Sequence, residues 1–544
     1  MLAGLLLLVA CEPPPPEESG VLVVVKDQTS AWVRNFNPMS PSARFPTQAG
    51  IYEPLAIYND VASTWEPWLA ESWAWRGDTT LAFTLREGVR WSDGHPLLAS
   101  DVQFTYELAL GDPKLDAAGL ARFLDRVELE SDRTIVCHLS RPYGPGFAAL
   151  AHTLVLPEHV VGEVADPLTW TNPSPVGSGP FTEVRTFRTQ VFELGRNPHY
   201  WQGPPPIEAL RFPAIASNDQ LAMALIQGEV DWSGGYVPQI DRVFVDRDPE
   251  HHGYWYPNGP SWFLYANTTI APYDDVRVRK AMSLGLDRDL MIEVAGWTGF
   301  TQPDRGTGLT NLFAAWRSPE AEAASDWVAH DPDRARALLD DAGLRVGPEG
   351  VRTRADGSPL TIELSMVSGW SDAVRASQVA AQSLRAIGLD VRVRSYDPGA
   401  WFANTFRGEF ELTTAWSMGG PDPYLFYAGL MGTSQVRPVG TAHFTNWHRY
   451  GSPRMDALLT AFEQTTDREA QREIAVEMQH AFVAEAPAIP LYAGPVWGQF
   501  NRTRFENWPS AENPYAPLSP NPPYTPLFVM TQVRPRDRRS ASNP

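Results

Sequence analysis

Cys137 and His138 stand side by side in Thr134-Ile-Val-Cys-His-Leu139, and a thiol beside an imidazole is the raw material of nucleophilic catalysis. The pair fails on geometry, because the stretch alternates like a β-strand and adjacent strand residues point to opposite faces. Cys137 reads instead as a small buried hydrophobe. Two histidine groups, His251-His252 and His443 with His448, offer metal-binding nitrogens. No acidic partner sits near them at ligand spacing, so they read as solvated loop residues. Aspartates and glutamates are plentiful but scattered, and nothing singles out two of them as an acid/base pair. The chain has no phosphate loop of Walker type, no Gly-x-Ser-x-Gly elbow and no His-Glu-x-x-His helix. These residue types give no positive evidence for an enzyme, and neither a cofactor nor a metal is expected.

What remains is non-covalent chemistry. Twenty tryptophans exceed what core filling needs, and each brings a flat apolar face with one N–H donor. The stretch from Leu412 to Leu430 concentrates the pattern. An apolar run ends at Trp416, breaks at Gly419, Gly420, Pro421 and Pro423, and continues into Tyr424, Phe426 and Tyr427, with Asp422 its only charge. Glycine and proline at that density predict a loop leaving a strand. An uncharged aromatic loop suits a pocket wall for a bulky polar ligand; the alternative is a proline-rich turn whose rings pack into the core.

The elements that must position these residues are legible from caps and periodicity. Gly20–Val25 is a buried strand run, and Leu81, Phe83 and Leu85 alternate as a half-buried strand. Ser100 or Asp101 is the expected cap of a helix carrying Val102 and Tyr106. Ser217 to Gly228, Asp274 to Arg288 and Asp331 to Gly343 read as capped helices. From residue 360 strands and helices alternate, which predicts an α/β lobe with a mostly parallel sheet.

At 544 residues the chain is too long for one core. A net charge of −20 argues against nucleic acid or an anionic membrane as partner. The run Leu2–Val9 is too short to span a bilayer. It ends in Leu8-Val9-Ala10-Cys11, which resembles the lipobox of bacterial lipoproteins, although no Lys or Arg precedes it. That resemblance implies lipidation at Cys11, an exported chain anchored at the periplasmic or outer face of the membrane, and a tether through Pro13–Pro16. Cys137 is then left without a disulfide partner.

A wider resemblance starts at Leu69-Ala-Glu-Ser-Trp73, Phe83-Thr-Leu-Arg-Glu-Gly-Val-Arg-Trp-Ser-Asp-Gly94 and Ala99-Ser-Asp-Val-Gln-Phe104. It continues through Val176-Gly-Ser-Gly-Pro-Phe181, Asp275-Val-Arg-Val-Arg-Lys-Ala281, Asp287-Arg288 and Ala486-Pro-Ala-Ile-Pro-Leu-Tyr492. These motifs resemble the family 5 extracellular solute-binding proteins, the oligopeptide and dipeptide receptors of ABC importers. The resemblance implies an α/β, periplasmic-binding-protein-like fold of cluster C type, with two α/β lobes joined by a hinge and a small inserted domain. Residues 1–19 are the expected signal and tether. Residues 20–57, 177–270 and 492–544 are the expected lobe I, 58–176 the small domain and 271–491 lobe II, with crossings near 267–273 and 488–494.

The resemblance also implies a small-molecule ligand, ABC permease subunits as partners and a monomer. Peptide-binding members carry an Asp three residues before the Asp-Pro of the late loop, where this chain has Gly419. Other members bind β-linked oligosaccharides, and Thr445-Asn-Trp-His-Arg-Tyr450 resembles them. Trp262, Trp401, Trp416 and Trp447 are therefore the expected stacking platforms, and Asn35, Asn37 and Asn446 the expected edge partners. Ser417, Gly419 and Tyr424 complete the expected site. On this reading Trp416→Ala weakens binding and leaves apo stability nearly unchanged. A peptide receptor of the same family and a secreted carbohydrate-active enzyme are the competing readings.

Overall fold

The run Val21–Val25 is apolar at every position and becomes an interior strand of a seven-stranded sheet. It pairs in parallel with Ala209–Pro213 on one side and Trp232–Ser233 on the other, the latter lying next to Gln499–Asn501 and then His252–Tyr254. Val191–Arg196 and Phe181–Arg188 extend the other edge antiparallel. This sheet is the heart of lobe I. The computed structural model describes residues 20–26, 28–40, 50–295, 301, 306–354 and 356–536. Cys11 and the proline-rich tether lie outside the described residues.

Lobe II is built on five strands in the order Asp390–Tyr396, Thr361–Val367, Leu412–Trp416, Asn258–Ala266 and Ile489–Pro495. The first three run parallel, but Asn258–Ala266 is antiparallel to both of its neighbours. The sheet is thus mixed rather than mostly parallel, because the strand that brings the chain into the lobe pairs directly with the one that takes it out. The same pairing moves the crossings. Asn258–Ala266 and Ile489–Pro495, which the sequence boundaries assigned wholly or partly to lobe I, both belong to the sheet of lobe II. The chain changes lobes between residues 254 and 258 and between 495 and 499.

Helices of both lobes start at short polar caps. Ser217, Asp275, Asp331, Asp397, Ser452 and Asp467 each accept a backbone N–H of the first turn with the side chain. Asp101 works differently from the expected cap. Leu98 occupies that position, and Asp101 inside the helix reaches back to the Leu98 N–H at 2.9 Å.

Two buried arginines tie the helices of lobe II to the returning strand. Arg279 donates to the carbonyls of Ala486 (2.7 Å), Tyr273 (2.8 Å), Asp274 (3.0 Å) and Glu485 (2.8 Å). Arg288 donates to the carbonyls of Pro490 (2.8 Å), Ser283 (2.9 Å) and Val328 (2.8 Å) and to the Ser283 hydroxyl (2.7 Å). Planar guanidinium groups with five fixed donors suit such carbonyl cages.

The small domain carries a four-stranded antiparallel sheet, Ala70–Trp75, Thr80–Leu85, Thr134–Leu139 and Leu124–Ser131. Its apolar residues, Trp91, Val102 and Ile135 among them, form one continuous core with Leu22, Val24 and Leu210 of lobe I and with Leu518 and Val529 of the C-terminal segment. Lobe II has a separate core around Phe263, Met282, Leu364 and Phe482. Packed interiors resist shear, so the small domain moves with lobe I.

Candidate functional site

Thr361–Val367 and Leu412–Trp416 run side by side in parallel, and their carboxyl ends lead into Gly369-Trp370 and Trp416-Ser417. Ligands of α/β folds collect at such strand ends. Trp262 faces Trp416 across the adjacent antiparallel pair. The ring centroids lie 6.1 Å apart for Trp262–Trp416, 5.9 Å for Trp370–Trp416 and 5.7 Å for Trp416–Trp447. Four indoles therefore make one continuous wall with Trp416 at its centre.

One end of the wall meets lobe I. Asn218 donates its backbone N–H to the Gly369 carbonyl (3.2 Å) and its amide to Asp372 (2.9 Å), and Gln28 donates to the Asn218 side chain (2.5 Å). A Cβ on Gly369 would stand 2.5 Å from the Ala216 carbonyl oxygen, so glycine permits this close approach. Arg375 donates to the Tyr236 hydroxyl of lobe I (3.1 Å), while its Nε is buried without a partner. The two lobes are in contact along this seam, which is a closed arrangement.

The other end of the wall borders a small crevice of about 20 Å³, lined from lobe II alone by residues that include Trp416, Ser417, Met418, Phe444, Asn446 and Trp447. None of its lining side chains is charged. Ser417 Oγ and Trp447 Nε1 are buried polar atoms without a hydrogen-bond partner. Buried polar groups are almost always satisfied, and these two, both on the lining, are not. Met418 and Phe444 stay exposed at the same pocket.

Several expected site residues have their side chains engaged elsewhere. The Asn37 amide donates to the carbonyls of Pro167 (2.7 Å) and Trp170 (2.9 Å), and its oxygen accepts the Met39 N–H. Asn35 turns back onto Asn37 and Ser40 in the same loop. Asn446 lines the pocket, but its amide donates to the Tyr450 carbonyl (2.6 Å) and accepts the Tyr450 N–H (2.8 Å). Asparagine near a turn preferentially closes it, and that preference wins here over ligand contact. Trp401 is fully buried, with its N–H on Thr413 Oγ1 at 3.0 Å, and supports the wall from behind. Gly419 is exposed beside Leu312. Asp422 accepts the Tyr424 N–H (3.0 Å), and burial holds its carboxyl above the ordinary value.

Tyr424 also leaves the expected loop. It opens the helix Tyr424–Met431, so Phe426 and Tyr427 are core residues. Its hydroxyl meets Glu463 and lies 3.2 Å from the Tyr143 hydroxyl of the small domain. Arg141, also of the small domain, pairs with Glu463 at 2.7 Å. This latch joins the body that moves with lobe I to lobe II. Glu463→Gln is expected to loosen it by up to about 1 kcal/mol, roughly fivefold in the closed population. The check is a larger radius of gyration of the ligand-free variant in X-ray scattering.

Sequence reasoning missed Trp370, Arg375 and the seam residues Gln28, Asn218 and Tyr236. The available signal was Gly369-Trp370-Ser371-Asp372 placed directly after a strand, the same syntax as Trp416-Ser417.

A model of the bacterial extracellular solute-binding proteins, family 5, matches residues 64–437. The chain belongs to this family. Protein XP55 of Streptomyces lividans is 30% identical over 417 residues, covering 75% of this chain and 71% of that protein. Di/tripeptide-binding protein 2 of Pseudomonas aeruginosa is 24% identical, covering 85% and 88%. Among solved structures, the fold matches the mannohexaose-bound periplasmic oligopeptide-binding protein of an oligopeptide ABC transporter from Thermotoga maritima. That match has a TM-score of 0.89 at 24% identity over 96% of this chain and 100% of the other. A family 5 protein of this kind is the solute-binding component of an ABC transporter and not an enzyme. The two lobes, the hinge between them and the small domain are those of its structural relatives.

Proposed function

We propose that this family 5 protein captures an uncharged oligosaccharide, of the β-linked kind, and presents it to ABC permease subunits. The observation that carries the reading is the uncharged pocket at the end of the indole wall, with Ser417 Oγ and Trp447 Nε1 unpartnered. Sugars offer flat C–H faces to indoles and hydroxyls to such neutral donors and acceptors. A peptide ammonium would instead need a carboxylate, since a buried unpaired charge costs several kcal/mol; Gly419 stands where the family's peptide receptors hold one. The mannohexaose-bound neighbour supports the same reading. Cys11 would anchor the exported, monomeric protein to the membrane through its lipid.

One observation favours a second reading. Arg375, with its buried unpartnered Nε at the lobe seam, suits the carboxylate of a di- or oligopeptide.

A thermal-shift screen decides between them. Mannohexaose or cello-oligosaccharides at a hundredfold excess over Kd are expected to stabilise the protein by about 2.7 kcal/mol, and peptides not at all. Stabilisation by peptides alone would sink the proposal. Ser417→Ala sharpens the test. It is expected to weaken sugar binding about fivefold, one hydrogen bond's worth, while leaving apo stability equal or higher because an unsatisfied buried hydroxyl is gone.

A further inference from the structure

A cluster that the binding site does not use lies on the small domain. Asp93 and His95 of the signature turn and His159 of the short helix Glu158–Val161 bring one carboxylate oxygen and two imidazole nitrogens within 4.8 Å of one another. Asp93 Oδ2 is 3.1 Å from His95 Nδ1 and 2.7 Å from His159 Nε2, and the two rings lie 4.3 Å apart. All three residues are solvent-exposed. His199 of lobe I, just after the strand Val191–Arg196, stands near the turn, with Nε2 3.6 Å from the position of a Cβ on Gly94, but outside the group of three donors.

The turn is held in shape without any ion. Trp91 donates its backbone N–H to the His95 carbonyl (2.8 Å), and Gly94, at φ 92°, donates its own to the Trp91 carbonyl (2.9 Å). Asp93 Oδ1 accepts the His95 N–H (3.1 Å), which leaves Oδ2 for the imidazoles. Outer bonds that orient a ligand in this way are a recurring part of metal sites. An ion about 2.0–2.2 Å from each donor sets neighbouring donors roughly 3.0–3.5 Å apart, close to the 3.1 and 2.7 Å from Asp93 Oδ2 to the two imidazoles. Two imidazoles with one carboxylate suit zinc, nickel, cobalt or copper, whereas calcium and magnesium take oxygen.

We propose that Asp93, His95 and His159 bind a divalent first-row transition ion on the small domain, with water completing its coordination. His95 and His159 lie far apart in the chain, so no spacing motif announces the site.

The test is calorimetric titration of the chelator-treated full-length protein with Zn(II), followed by a thermal shift. One equivalent is expected to bind at micromolar concentration and raise the melting temperature. The double variant His95→Ala, His159→Ala is expected to lose at least about a hundredfold in affinity, beyond the usual effect of removing an outer-sphere partner, with the melting temperature of the metal-free protein unchanged. Trp416→Ala is expected to bind Zn(II) as the native chain does, which separates this site from a metal captured between the lobes. Zinc binding unaffected by the double variant, no binding below about 100 μM, far above the dissociation constants of structural zinc sites, or loss on Trp416→Ala would each overturn the proposal.

Discussion

Replacing Trp416 by alanine is expected to weaken binding of the sugar by more than about tenfold, at least 1.4 kcal/mol, and to lower the stability of the ligand-free protein by about 3 kcal/mol. The first effect follows from its place at the centre of the wall and at the pocket. Buried aromatic platforms of this kind dominate recognition energies. The second corrects the expectation drawn from sequence, that apo stability would hardly change. Trp416 is half-buried among Trp262, Trp370, Trp401, Phe402 and Trp447, so truncation leaves a cavity bounded by five rings. Trp416→Phe separates the two effects, because it keeps most of the packing and shrinks only the stacking face. Calorimetric affinity and thermal melts of both variants provide the check. Native affinity in Trp416→Ala would mean that the ligand lies elsewhere.

Arg288→Met is expected to destabilise the protein by about 3 kcal/mol or more, through the penalty of stranding buried hydrogen-bonding groups. The guanidinium holds three backbone carbonyls and one hydroxyl at 2.7–2.9 Å. Methionine fills the volume but satisfies none of them. Burial lowers the Arg288 pKa to about 9, so the group is still charged at neutral pH. Arg288→Lys keeps the charge without the fork and is expected to fall between the two. Urea unfolding monitored by tryptophan fluorescence measures all three proteins. A change below about 1 kcal/mol would mean that water replaces the arginine without loss.

Local chemistry made much of the architecture legible in the chain. Helix starts at Ser217 and Asp331 depend on a side chain and a backbone three residues away and lie where expected, while the start expected at Asp274 lies one residue later, at Asp275. The site was less legible because its assignments depend on distant partners. Asn37 is occupied by carbonyls more than a hundred residues later. Trp401 and Trp416 have the same side chain, and only the fold decides that one supports the wall while the other forms it. The lobe boundaries slipped for a similar reason. An apolar strand such as Asn258–Ala266 pairs equally well in either sheet, and only its neighbours show which one it joined.

The threading of lobe I also governs the order in which the molecule can be completed. A chain crossing a membrane emerges amino end first, and domains fold as units once their residues are present. Every strand of the lobe II sheet lies within the single span from residue 258 to 495, so that lobe can close while the tail is still in transit. Lobe I cannot, because Gln499–Asn501 fits between Trp232–Ser233 and His252–Tyr254, and Pro526–Gln532 fills its core. Until those last segments arrive, two strand edges stand open to other chains or to proteases. A nascent molecule therefore passes through a stage with one finished lobe and one vulnerable lobe, and full-length synthesis itself becomes the condition for a durable receptor.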